Sequence, residues 1–123
     1  MLDIIVFMEF FIQDPNVLRL PPEDVRILDL RAQPYPDNRR VRVALDLTPF
    51  RDRPYIELTL VNDQEELLGS ASIVEPVAWK LELTMHLRQG GAASGPLTLV
   101  ARLSYPDLDE VDSRQVSFAL GEK

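Results

Sequence analysis

Apolar and polar side chains alternate residue by residue over several stretches of this chain. Val41, Val43, Leu45 and Leu47 interleave with Arg40, Arg42, Ala44 and Asp46; further on, Trp79, Leu81, Leu83, Met85 and Leu87 interleave with Lys80, Glu82, Thr84, His86 and Arg88. Successive side chains of a strand point to opposite faces, so this period of two sets one face on a core and the other in water. The same period, bounded by turn residues, predicts strands over 25–33, 40–48, 55–61, 67–74, 77–88, 97–105 and 114–120. The inward sets are Leu28, Leu30 and Ala32 in the first strand, Ile56, Leu58 and Leu60 in the third, Leu97, Leu99, Ala101 and Leu103 in the sixth, and Val116, Phe118 and Leu120 in the last. Gly69 leaves the facing of 67–74 open. Trp79 shares its face with Leu81, Leu83 and Met85 and is expected to lie buried between sheets.

Proline and residues tolerant of left-handed backbone mark the connections. They fall at 34–38, at 49–54, at Asn62-Asp63-Gln64, at Glu75-Pro76, in the glycine-rich 89–96 and in the acidic 106–113. Ahead of these strands, 4–12 is β-prone and apolar on both faces: Ile4, Val6, Met8, Phe10 and Ile12 on one, Ile5, Phe7 and Phe11 on the other. It reads as an additional strand, with 1–24 as edge strand and connector and 25–121 as the sandwich. A signal peptide wants a basic start and an unbroken apolar run, whereas Asp3 comes first and Glu9 interrupts. The run is also about half the length that spans a bilayer. The expectation is a strand of a cytoplasmic protein without membrane contact. Its second face, Ile5, Phe7 and Phe11, needs cover, and a second copy of the chain is the favoured cover, with burial inside the same chain as the competitor.

The whole is expected to be all-β: a two-sheet antiparallel sandwich of about seven strands with that additional N-terminal strand. Here the sequence resembles the immunoglobulin-like and fibronectin type III-like domains. Pro21-Pro22-Glu23-Asp24-Val25 looks like a fibronectin type III lead-in, and Gly95-Pro96-Leu97-Thr98-Leu99 sits where those domains enter their sixth strand. The chain departs from the pattern in having no cysteine pair, no tryptophan in 40–48, and Leu97 where the corner tyrosine stands. The resemblance implies the fold and carries no activity with it.

Composition narrows the function classes. With 123 residues, 46% apolar and 27% charged, the chain can bury a real core, and without cysteine it does so by packing alone. A net charge of −7 argues against nucleic acid as a partner. His86 is the sole histidine and falls on a water-facing position, so it reads as a surface residue, and there is no Gly-x-Ser-x-Gly elbow to make a hydrolase. The 90–95 stretch lacks the lysine of a phosphate loop and precedes a strand, so it reads as a hairpin loop. Arg39, Arg40 and Arg42 read as a solvated face with Asp37 and Asp46 near them.

The acidic segment carries the one metal-like pattern. Asp107, Asp109, Glu110 and Asp112 are hard oxygen donors of the kind Ca²⁺ takes. The favoured reading is instead charge coupling to Arg51 and Arg53 of 49–54, at the same end of a sandwich, with no cofactor. A further feature is an outward face nearly free of charge: Tyr55, Thr59, Val61, Thr98, Val100, Ser104, Ser117 and Ala119, with Glu57 and Arg102 as its main charges. A mild face rimmed by charge suits protein contact. The expected function is therefore a non-catalytic protein-interaction or structural module, with a second copy of itself among the candidate partners and Ile5, Phe7, Phe11, Tyr55, Val61 and Val100 as contact residues. The alternative is a sandwich that binds a ligand or Ca²⁺ through loops 49–54 and 106–113.

Overall fold

A computed structural model of the chain describes residues 18–88 and 95–120. The contact residues Ile5, Phe7 and Phe11, like the whole 4–12 strand and most of the 89–96 loop, lie outside the described residues. After a single 3-10 turn at Pro22–Asp24 come seven strands: β1 (Ile27–Pro34), β2 (Arg40–Leu47), β3 (Tyr55–Asn62), β4 (Leu67–Val74), β5 (Lys80–His86), β6 (Gly95–Tyr105) and β7 (Asp109–Leu120). They form two antiparallel sheets, β1-β2-β5 and β4-β3-β6-β7. This is an immunoglobulin-like sandwich in which the fourth strand joins β3, whereas the constant-type arrangement puts its fourth strand in the other sheet. Among the described residues no helix is long and apolar enough to cross a membrane.

The core is what the alternation dictates. Val41, Val43, Leu45 and Leu47 of β2 meet Ile56, Leu58 and Leu60 of β3 and Leu99, Ala101 and Leu103 of β6, all buried. Each large member contributes roughly 1.5–3 kcal/mol by leaving water. No polar or charged residue is buried among the described residues. Leu81 and Leu83 point inward but remain half-buried, since β5 is an edge strand.

Three expectations need correction. Leu28 is 55% exposed. The β1–β2 register slips between Ile27 and Asp29, so Ile27 takes the inward place and Leu28 turns outward. Strand β5 begins at Lys80, and Trp79 lies at its mouth, half-buried rather than sealed between the sheets. The Trp79 carbonyl accepts the Leu47 N–H at 2.8 Å, while its ring meets Phe50 edge-on (6.5 Å, 83°) and carries the Arg19 guanidinium 5.9 Å from its centroid. Third, the acidic stretch is no eight-residue loop. The turn between β6 and β7 occupies only 106–108, and Asp109, at φ 56°, already starts β7.

The sheets close on each other at both sides. Asp112 Oδ2 accepts the Ile27 N–H at 2.8 Å, joining β7 to β1 across the sandwich. On the far side the Arg88 N–H donates to the Leu68 carbonyl at 2.8 Å. Gly69 sits at that seam, where a Cβ would stand 3.1 Å from the His86 carbonyl oxygen, which is why the smallest residue is found there.

Candidate functional site

The two outer faces differ in kind. That of β1-β2-β5 is a lattice of charge. Asp29 and Asp46 oppose each other across β1 and β2, a repulsive pairing that Arg31 relieves by bonding to Asp29 and reaching Asp46 at 3.4 Å. Lys80 stands 4.0 Å from Asp46, Arg42 meets Glu82 at 2.6 Å, and Arg40 meets Asp37 at 3.1 Å while lying over the Tyr35 ring. The Arg31 hydrogen bond holds the Asp29 carboxyl below its ordinary range, and the Glu82 bond holds Arg42 above its own. Thr84 bonds the Tyr35 hydroxyl and lowers its pKa. Arg40 and Arg42 are thus already paired, and His86 is exposed opposite Arg40.

The outer face of β4-β3-β6-β7 is almost bare of charge. Cross-strand pairing places Thr59 beside Val100, Val61 beside Thr98, and Tyr55 beside Ser104. Ser117 lies opposite Thr98 and Gln115 opposite Val100. Tyr55, Val61 and Val100, expected as contact residues, therefore share one surface. Thr59, Val61, Thr98, Val100, Arg102 and Gln115 line a shallow depression of about 470 Å³, with Asn62, Asp63 and Glu65 of the β3–β4 turn at one end. Its two central charges are engaged within the face: Glu57 accepts from the Ser72 hydroxyl at 2.7 Å, and Arg102 lies 3.6 Å from Glu110. Thr98 and Ser117 hydroxyls are 3.3 Å apart. Gln115 and Asn62 escaped the sequence reading. Gln115 continues the outward parity of Ser117 and Ala119, the signal by which it could have been found, and Asn62 reads in the sequence only as a turn former. It is one: its Oδ1 accepts from the Gln64 and Glu66 N–H groups at 2.9 Å each.

A second concavity, about 510 Å³, opens where the β2–β3 loop meets the β6–β7 turn, with Arg51, Asp52, Arg53, Glu75, Tyr105 and Asp107 on its wall. The loops 49–54 and 106–113 do share one end, as expected. Among the described residues, however, the acidic segment's ion pair is Glu110 with Arg102, not with Arg51 or Arg53, and Asp112 is spent on the Ile27 N–H. Asp107 faces the concavity, Asp109 and Glu110 are exposed on β7, and the four carboxylates are not brought to one point: among the described residues no three His, Asp or Glu side chains converge as a metal site. Tyr105, inward at the end of β6 and 6% exposed, donates its hydroxyl hydrogen to the Asp52 carbonyl at 2.7 Å, and burial pushes its pKa up to about 12. It fastens the loop wall much as a corner tyrosine would, but from the other end of the strand from Leu97.

Fold and face together define a two-sheet sandwich with one charged and one nearly uncharged outer surface. No family model and no curated protein matches the chain. Solved structures do: a glycosyl hydrolase family 2 member from Bacteroides cellulosilyticus (TM-score 0.58, 14% identity, covering 78% of this chain and 14% of that one). A β-glucuronidase from Bifidobacterium dentium, complexed with coumarin-3-O-glucuronide, is similar (TM-score 0.55, 12% identity, covering 79% of this chain and 18% of that one). So is a β-glucuronidase from Ruminococcus gnavus (TM-score 0.55, 10% identity, covering 79% of this chain and 16% of that one). The likeness is one of fold, and this chain spans less than a fifth of the length of those structures.

Proposed function

We propose that this chain is a non-catalytic protein-interaction module whose contact surface is the outer face of the β4-β3-β6-β7 sheet. The observation that carries this reading is the asymmetry of the two faces. In a chain of net charge −7, one sheet displays a mutually paired lattice of acids and bases, while the other displays Thr59, Val61, Thr98, Val100 and Gln115 around a depression whose one strand-borne charge, Arg102, is turned to Glu110. Desolvating hydroxyls and short aliphatic side chains costs far less than desolvating ion pairs, and interface centres are depleted in charge for that reason. His86 stands on the opposite, charged face, which supports a surface role for it.

The test is retention of an identified partner by three immobilised forms: the wild type, Val100→Arg on the uncharged face, and Arg42→Glu on the charged one. A protein held by the wild type and Arg42→Glu, lost by Val100→Arg, and then bound by the purified chain in calorimetry supports the reading. Loss with Arg42→Glu and retention with Val100→Arg overturns it.

A second reading rests on the concavity between the β2–β3 loop and the β6–β7 turn, which Arg51, Arg53 and Asp107 line. There the chain would hold a small polar ligand or Ca²⁺ through its loops.

A further inference from the structure

Two open sheets leave four edge strands, and three of them carry devices against further pairing. β1 bears Asp29 and Arg31, a bulge, and Pro34 at its end. β5 bears Lys80, Glu82 and His86. β7 bears Asp109, Glu110 and Arg114, and Asp112 fastens it to β1, so that only its last six residues, 115–120, are free of charge. β4 differs: Leu67–Val74 reads LLGSASIV, without a charge or a proline. Its one register irregularity lies at the Leu67 end, leaving Ser70 to Val74 in regular pairing with β3, and Val74 is 59% exposed. Uncharged, proline-free edges are the ones to which strands add.

Two hydrogen bonds orient the backbone of this edge. The Glu75 N–H donates to the Pro54 carbonyl at 3.0 Å, continuing the β3 ladder, so odd-numbered positions turn toward β3. The Leu68 carbonyl accepts from Arg88 on the other side, so even-numbered positions turn away. Ser70, Ser72 and Val74 therefore hold their N–H and C=O groups outward, and the structure gives these no partner among the described residues.

We propose that β4 pairs antiparallel with β4 of a second copy about a twofold axis through Ser72, joining two four-stranded sheets into one. In this register Ser72 faces Ser72 of the second copy and Ser70 faces Val74, so the outward-turned backbone of all three residues is satisfied and each side chain stays on its own face of the sheet. Centring on Ala71 instead would set Val74 against Leu68, whose carbonyl already serves Arg88. An antiparallel strand paired with itself is isologous and closes as a dimer. Charge favours the same occupant. For two chains of −7, β4 is an approach with no charge on the strand itself. The nearest charges lie at the ends of the seam: Glu75 would face Gly69 of the second copy, one residue from the Leu68 to which Arg88 is bonded, so unlike charges meet there. Glu57 on β3 would stand three strand spacings from its counterpart, about 14 Å, beyond the Debye length of about 8 Å at physiological salt. The proposal goes beyond the contact face described above, because it concerns the backbone of the sheet edge.

Light scattering and amide hydrogen exchange on the 123-residue chain, from low to high micromolar concentration, test it. The expected mass rises from 14.0 kDa toward twice that value, and the Ser70, Ser72 and Val74 amides gain protection in step. Ser72→Pro removes an outward N–H together with the exposed hydroxyl that bonds Glu57, and Ser70→Lys adds an edge charge; each should give a folded monomer, while Val100→Arg stays dimeric. A wild-type chain that is monomeric throughout overturns the proposal, as does a dimer that survives Ser72→Pro. Protection of the three amides in the monomer also overturns it, assigning the edge to another segment of the same chain such as 4–12.

Discussion

Asp112 accepts the backbone N–H of Ile27 from the opposite sheet at 2.8 Å, 85 residues away in sequence. A residue that looks like a cation ligand in the one-dimensional pattern is thus a clasp between sheets. Asp112→Ala leaves that half-buried N–H without its acceptor and is expected to lower stability by about 1–3 kcal/mol. Asp112→Asn keeps an acceptor oxygen and is expected to lose less. Urea unfolding of the two variants beside the wild type gives the comparison.

Tyr105 links pH to stability. Its phenol ionises near pH 10 when unfolded and only at about 12 when folded, because burial disfavours the phenolate. The folded state thus favours the neutral phenol, and this contribution is fully present below pH 10 and is lost as pH rises from 10 through about 12. Unfolding midpoints should fall across that window in the wild type and fall less steeply in Tyr105→Phe. At neutral pH the same substitution removes the hydrogen bond to Asp52 and is expected to cost about 0.5–1.5 kcal/mol.

Core and mouth of the sandwich should respond unequally to truncation. Leu45 is fully buried, and Leu45→Ala is expected to cost about 2–5 kcal/mol. Trp79, the larger side chain, is half-buried at the start of β5, and Trp79→Ala is expected to cost less than Leu45→Ala. Its fluorescence should peak between the values of a buried and a free indole. Equal costs for the two variants would contradict this placement.

Calcium gives a direct measure of the acidic segment. A site with a dissociation constant of about 10 µM would add about 2.7 kcal/mol at 1 mM Ca²⁺. With Asp112 engaged by Ile27 and Glu110 near Arg102, the expected result is an unchanged unfolding midpoint at 1 mM Ca²⁺. A rise that disappears in Asp107→Asn would favour the loop-based ligand reading instead.

Strand positions were legible because alternation leaves little freedom: Val41 to Leu47 and Leu97 to Leu103 could bury their odd-numbered side chains in only one way. The nearly uncharged face was legible for the same reason, since the outward parity of β3 and β6 carries Tyr55, Val61 and Val100 onto one surface. What escaped were single-residue events. A bulge reverses Leu28, which no periodicity announces. Left-handed backbone at Asp109 ends the turn after three residues, so acids that resemble a loop belong to a strand. Tyr105 continues the inward parity of Leu97 to Leu103, a signal that was present but hidden by the expectation of a tyrosine at the other end. The open edge of β4 needed the direction of individual carbonyls, which composition does not encode.

The course of β7 sets how the molecule answers to force. Leu20 is held at the end of the sandwich where the β2–β3 loop lies, by bonds to Pro49 and Arg51, whereas Leu120 pairs with Gly95 at the opposite end. Tension applied between Leu20 and Leu120 therefore acts along the strands, pulling β7 past β6 and β1 past β2. Hydrogen bonds from Gly95–Leu120 to Tyr105–Asp109 are strained together, as in a shear joint, instead of parting one after another from a free end.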